Sequence, residues 1–279
     1  MKRLLSIELQ KIWKNRASRI LTLTYFILLS LITLIASVEF SVFGFKIKIA
    51  DQGIFNFPYI WQVNTWTALW FKLFLSIVVV SMISNEYTYG TIKQNLIDGM
   101  SKKEFILSKF MTVTLFSLVS TLFIFVISLI LGLCFSSYTE IGIILTDLDY
   151  FLAYFINLVG FFSLCLFLGI LVKRSAFALG FLFLWLMTEL LLEFKILPKI
   201  TGSDEIASKI IDFFPFEAFS NLIKEPISRF QAYKAIENQV TQNAVVKDYS
   251  VHWYELLIAL VWIFIFVLGS YKLLKKRDL

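Results

Sequence analysis

Residues able to do chemistry are scarce in this chain, and most of them gather in one polar stretch. From Asn85 to Phe110 the sequence reads NEYTYGTIKQNLIDGMSKKEFILSKF, with long apolar runs on either side. Within it Glu86, Gly90 and Thr91 have the spacing E-x-x-x-G-T. Ser101 and Glu104 have the S-x-x-E spacing of a capping box, in which hydroxyl and carboxylate each take a free backbone N–H at a helix start. Gly99 stands where a helix beginning near Glu86 and continuing through about Asp98 needs a left-handed residue after its last turn. The spacing predicts helix, sharp turn, helix. The second helix has no stop signal before the apolar run from Phe110, so a push on this polar island would pass into a membrane span.

Other reactive residues lack companions. No glycine is followed by lysine, so the phosphate-cradling G-x-x-x-x-G-K-[ST] loop is absent and the chain does not bind ATP by that device. The lone histidine, His252, has no second histidine or cysteine for a metal and no G-x-S-x-G or H-E-x-x-H motif beside it, so it reads as an interfacial polar residue. Cys134 and Cys165 both fall in apolar runs and read as small packing residues, with no disulfide and no metal site expected. No residue is assigned a catalytic role. Lys72 and Glu189 are charges inside apolar runs, which lipid tolerates when they pair, snorkel or face water. Glu193 follows Glu189 at i+4, on the same helix face.

The elements that must position these residues follow from composition. With 58% hydrophobic residues, 16% charged residues, 30 Phe in 279 positions and a mean hydropathy of +0.78, the chain is a polytopic membrane protein. Residues 1–19 carry Lys2, Arg3, Lys11, Lys14, Arg16 and Arg19, with Leu5, Leu9, Ile12 and Trp13 at helical spacing, which predicts a basic amphipathic elbow helix at the headgroups, not a cleaved signal. Six spans are expected at about 20–38, 65–84, 110–135, 150–172, 175–194 and 253–271, all of a length suited to a hydrocarbon core. The fold class is thus an all-α polytopic membrane protein of six transmembrane helices, forming one domain over 1–279. Trp61, Trp66 and Trp70 read as an aromatic belt, and Pro58, Pro198, Pro215 and Pro226 lie outside the expected spans, as uninterrupted helices require.

Orientation follows from basic residues near the span ends. The N-terminus, the island (Lys93, Lys102, Lys103, Lys109), the Lys173–Arg174 turn and the tail (Lys272, Lys275, Lys276, Arg277) hold sixteen of the 26 lysines and arginines. Both termini and residues 85–109 are therefore placed in the cytoplasm, and this bias accounts for the net charge of +6 without a nucleic-acid partner. Residues 195–252 form an extracytoplasmic helical segment. In it Ser203 is expected to cap a helix towards Ile211, Phe213–Phe216 to make an apolar turn, and Ser228 to cap a helix from Arg229 to Val240.

The island, its place after the second span, the basic N-terminal helix, the six-span count and the ending Lys275-Lys276-Arg277-Asp278-Leu279 together resemble the ABC-2 type permeases, the transmembrane subunits of one class of ATP-binding-cassette transporters. The resemblance covers essentially the whole chain and implies a type V (ABCG-like) exporter fold. It also implies that the island is a coupling helix docking on a separate cytoplasmic ATPase. Carried over by position, Glu86, Tyr87, Gly90, Thr91, Asn95 and Gly99 belong to the docking element, with Ser101 and Glu104 as the helix cap. Two ATPase copies holding ATP and Mg, a second permease subunit (a homodimer) and a bacterial inner-membrane location are likewise implied, with no cofactor in this chain. Since the second and fifth spans line the path in related exporters, Lys72 and Glu189 become translocation-path candidates and Glu189 would favour a cationic or amphipathic cargo. A membrane scaffold or sensor that binds a cytoplasmic partner through the same island is the alternative; an ion-coupled carrier is disfavoured because no broken helix or repeated half is visible.

Overall fold

Where a chain meets lipid, every backbone N–H and C=O must find a partner within the chain, and long apolar runs answer this by becoming helices. The computed structural model describes residues 2–35, 39–42, 45–48, 53–229 and 248–277. The expected helix from Arg229 to Val240 beyond its first residue, the end of the expected first span at 36–38 and the last two residues of the tail lie outside the described residues.

The helices are α1 (Lys2–Lys14), α2 (Arg16–Ile35), α3 (Tyr59–Leu69), α4 (Lys72–Thr88), α5 (Thr91–Ile97), α6 (Lys102–Phe135), α7 (Ile141–Ile144), α8 (Asp149–Val172), α9 (Ser175–Leu191), α10 (Leu197–Thr201), α11 (Asp204–Ile211), α12 (Pro215–Ser220) and α13 (Trp253–Lys275). One antiparallel hairpin departs from the all-helical expectation, β1 (Glu39–Val42) with β2 (Phe45–Lys48), in register Glu39 to Lys48. Its sequence, Glu-Phe-Ser-Val and Phe-Lys-Ile-Lys, alternates polar and apolar with the period of a strand.

Four helical columns among the described residues are long and apolar enough to cross a membrane: α6, α7–α8, α9–α10 and α13; the α3–α4 pair, counted as one, makes five. Two expectations are corrected. The second span is bent by 46° between Leu69 and Lys72, not straight from Thr65 to Ser84. The fifth does not stop at Phe194: it passes through a π-helical turn at Leu192–Ile196 and on to Thr201, so that Pro198 lies inside the column, directly after the π-helical turn.

α8 is the axis of the bundle, with 78% of its apolar window buried against 28%, 22% and 17% for α6, α13 and α9. It packs on α13, α4, α6 and α9. Buried hydroxyls stitch it to its neighbours: Tyr154 of α8 meets Tyr25 of α2 at 2.9 Å and Ser120 of α6 at 3.0 Å, and Tyr25 also bonds Ser120. In a bundle without a hydrophobic drive between helices, such bonds help specify which faces meet. Trp61 is fully buried against Phe57, Phe125 and Phe151, so it belongs to the core, and only Trp66 and Trp70 remain of the expected belt, Trp70 being 68% exposed.

α1, the island and the tail gather at one end of the bundle through Lys11–Glu86 and Lys102–Arg277 contacts. The opposite end holds Phe57 on Ser136, Trp61 on Ile144 and Tyr150 on Tyr249.

Candidate functional site

The island is built differently from the expected single helix. Gly90 has φ +67°, which L side chains rarely adopt, and it ends α4 and begins α5. Glu86 therefore belongs to the last turn of the long α4, and the island's own helix starts at Thr91. Gly99, at φ +94°, closes α5 as expected, and its neighbour Met100 donates back to Asn95 O at 3.0 Å. Ser101 and Glu104 form the expected capping box: Ser101 Oγ accepts from Glu104 N at 3.1 Å and Ser101 N donates to Glu104 Oε2 at 2.9 Å. The Ser101 N–H, together with the Ser101 hydroxyl that donates to the same oxygen at 2.8 Å, holds the Glu104 carboxyl below its usual range. α6 then runs 34 residues without a break, so the island is rigidly joined to a membrane-length helix.

Glu86 does not face outward to a partner. It is 3% exposed and is the centre of a buried charge cluster. Lys109 Nζ, itself fully buried, lies 2.7 Å from Glu86 Oε1 and 2.5 Å from Glu8 Oε2. Lys11 Nζ lies 2.8 Å from Glu86 Oε1 and 3.4 Å from Glu8 Oε1. On the other carboxylate oxygen, Thr91 Oγ1 donates to Glu86 Oε2 and Asn95 Nδ2 approaches at 3.5 Å. Partial burial works against the Lys11 charge, but the hydrogen bond it donates to Glu86 and the nearby Glu8 carboxylate outweigh it and hold its pKa above the usual lysine value. The E-x-x-x-G-T spacing thus has a physical meaning: carboxylate, turn, and a hydroxyl brought back onto the carboxylate. One cluster ties α1, the end of α4, α5 and the start of α6 together.

Glu8 and Lys11 were not singled out from sequence. A signal existed: Glu8 is the only acid among the first nineteen residues and shares a helix face with Ile12, which is also buried. On the same helix Trp13 is exposed.

What the island offers to a partner is the outer side of α5. Tyr89, Gly90, Lys93, Gln94, Ile97, Asp98 and Gly99 are exposed, and Ile97, an aliphatic residue, is 84% exposed. Tyr87 is turned back to the bundle, where Arg277 Nη1 donates to its hydroxyl at 3.1 Å. Arg277 also donates to the carbonyls of Ile170 and, at 2.9 Å, of Leu171, the last turn of α8. Lys102 Nζ donates to Arg277 O at 2.7 Å, so the tail is strapped across the base of the island.

Lys72 and Glu189 do not pair. Glu189 accepts from Trp185 Nε1 at 2.6 Å and from the backbone N–H groups of Phe216 at 2.9 Å and Glu217 at 3.4 Å, pinning the first turn of α12 to α9. Lys72 Nζ donates to Asn157 Oδ1 at 3.1 Å and lies 4.5 Å from the Phe161 ring centre. Lys72 lines a cleft of about 650 Å³; Glu189 does not. The Phe213–Phe216 turn is where the sequence suggests, and Ser203 precedes α11, though without a side-chain cap bond. Both cysteines are free thiols, Cys134 exposed and Cys165 buried. His252 N donates to Glu255 Oε2 at 3.3 Å at the start of α13, and its Nε2 lies 3.1 Å from Asp248.

Comparison with known proteins adds two findings. Residues 4–189 match the family described as "ABC-2 family transporter protein". A Bacillus subtilis (strain 168) protein, "Uncharacterized protein YhcI", is 35% identical over 86 residues, 31% of this chain and 27% of the relative, so the match spans about a quarter of that curated relative's length.

Proposed function

The chain belongs to the ABC-2 family of transporter proteins, and from that membership we propose that it is the permease subunit of an ATP-binding-cassette exporter. In this reading α2 joins the five other columns as a sixth span, since its 20 residues give about 30 Å of helix, the thickness of a hydrocarbon core. The end of the bundle bearing α1, the island and the tail faces the cytoplasm of a bacterial cell, where the basic residues concentrate. α1 is the elbow helix. Two separate ATPase subunits bind ATP and Mg, and each presses on the α5 of one of two permease copies. Helix continuity no longer argues against an ion-coupled carrier, because α3–α4 is bent; family membership does.

The observation that carries this reading is the mechanical form of the island. A seven-residue helix stands exposed, with an aliphatic residue outward, while its root is locked by a buried charge cluster to three longer helices. A force on α5 cannot be absorbed locally and passes to α1, α4 and α6. Co-expression with an ATP-binding-cassette ATPase encoded beside it, followed by purification, tests the reading. Ile97→Asp should weaken recovery of the ATPase about tenfold or more, as loss of a central apolar contact does. In a Cys134→Ser background, Lys93→Cys should react with an impermeant maleimide only after the cell is opened. Labelling of intact cells, or undiminished ATPase recovery with Ile97→Asp, would remove the proposal.

A further inference from the structure

The cleft holding Lys72 opens where α3 bends into α4, with α8 behind it and α9 and α12 as its other walls. Trp66, Trp70, Phe161, Leu182 and Phe183 give it an apolar lining, and its volume of about 650 Å³ lies within the range of sites that enclose drug-sized molecules. Lys72 is the one charged residue lining it. Two other polar groups of the lining, Ser76 and Asn157, are already committed. Ser76 Oγ donates to Leu73 O at 2.7 Å, and Asn157 spends its N–H on Phe219 O at 2.6 Å while its oxygen accepts from Lys72.

An ammonium at membrane depth needs a counter-charge or water. Among the described residues Lys72 has no carboxylate within 4.0 Å, and Glu189, the nearest acid by sequence expectation, is occupied by Trp185 and the start of α12. The described residues thus leave a cation on the wall of a greasy cleft and provide no anion for it.

We propose that this cleft binds an anionic amphiphile, with a carboxylate-class headgroup on Lys72 and an apolar body along Trp66, Trp70 and Phe183. This reverses the cationic cargo suggested by Glu189 in the sequence. It deepens the exporter reading, on which it rests, by naming the chemical class of what is held, and it places recognition in α4, α8 and α9.

The test is energy transfer from tryptophan to 11-(dansylamino)undecanoic acid, measured on the purified full chain in phosphatidylcholine nanodiscs, with the methyl ester of the probe as its neutral match. The acid should give saturable transfer and bind at least about tenfold more tightly than the ester. Trp70→Phe should reduce the transfer, because Trp70 lines the cleft. Lys72→Gln should bring the acid down to the level of the ester, Lys72→Arg should preserve the preference, and Glu189→Gln should leave it unchanged. Equal binding of acid and ester by the unmodified chain overturns the proposal without any variant, as does a preference that survives Lys72→Gln. Absence of saturable transfer also overturns it. No ATPase is present in this assay, so its failure leaves docking at α5 standing, and failure of docking leaves the acid preference standing.

Discussion

At the scale of the residue, the chain separates two uses of charge. Glu86, Lys109, Glu8 and Lys11 form a closed cluster in which each buried charge has an opposite neighbour, whereas Lys72 is left open to a cleft. Removing one member of a buried pair leaves the other uncompensated, which costs about 3–5 kcal/mol, while an exposed pair contributes about 0–1 kcal/mol. We therefore expect Lys109→Met, which removes the fully buried ammonium and leaves Glu8 and Glu86 only the partly exposed Lys11, to lower the thermal stability of the purified chain strongly. Lys11→Ala should change it little, because the Lys11 side chain is 40% exposed and Lys109 still holds both carboxylates. Equal losses from the two variants would show that the cluster is not organised around Lys109. The sequence displayed Glu86 and Thr91 at a readable spacing, but it could not show that Glu86 points inward, since that depends on Glu8 and Lys11 arriving from a helix 75 residues away.

At the scale of the element, the island is two rigid pieces joined by glycine turns. The capping box, the left-handed Gly99 and the unbroken α6 were all legible, because each is written in residues within one helical turn of one another. The helix boundary at Gly90 was misplaced: a glycine inside a helical pattern reads as tolerated until the chain is seen to turn there. At φ +67° a side chain is strained, and nothing lies within 4 Å of the position a Cβ would take, so Gly90→Ala imposes backbone strain of about 1–3 kcal/mol and no clash. We expect Gly90→Ala to leave membrane insertion and the core intact while reducing stimulation of the partner ATPase, measured as hydrolysis rate in the reconstituted complex. Normal stimulation would mean that the angle between α4 and α5 carries no force.

At the scale of the whole molecule, the end opposite the island gathers acids around α12. Burial, with Glu193, Asp212 and Glu189 nearby, pushes the Glu217 carboxyl up to about 7. An acid whose folded pKa exceeds its unfolded value near 4.5 favours the fold fully when protonated, so this contribution declines as pH rises from about 4.5 through 7. Glu217→Gln should accordingly raise the melting temperature at pH 8 and leave it unchanged at pH 4; a gain confined to the acid side would refute the assignment. The sequence by itself determined the membrane class, the extents of α6, α8 and α13, the caps of the island and the family, because hydrophobic runs and local caps act over a few residues in either direction. Only the tertiary structure decided that α3–α4 bends at Trp70, that Glu86 is a buried strut, that Glu189 docks α12 and that Lys72 alone charges the cleft. Each of those facts is a meeting between segments far apart in the chain, and which faces meet is fixed by packing around α8, not by any spacing that a linear sequence displays.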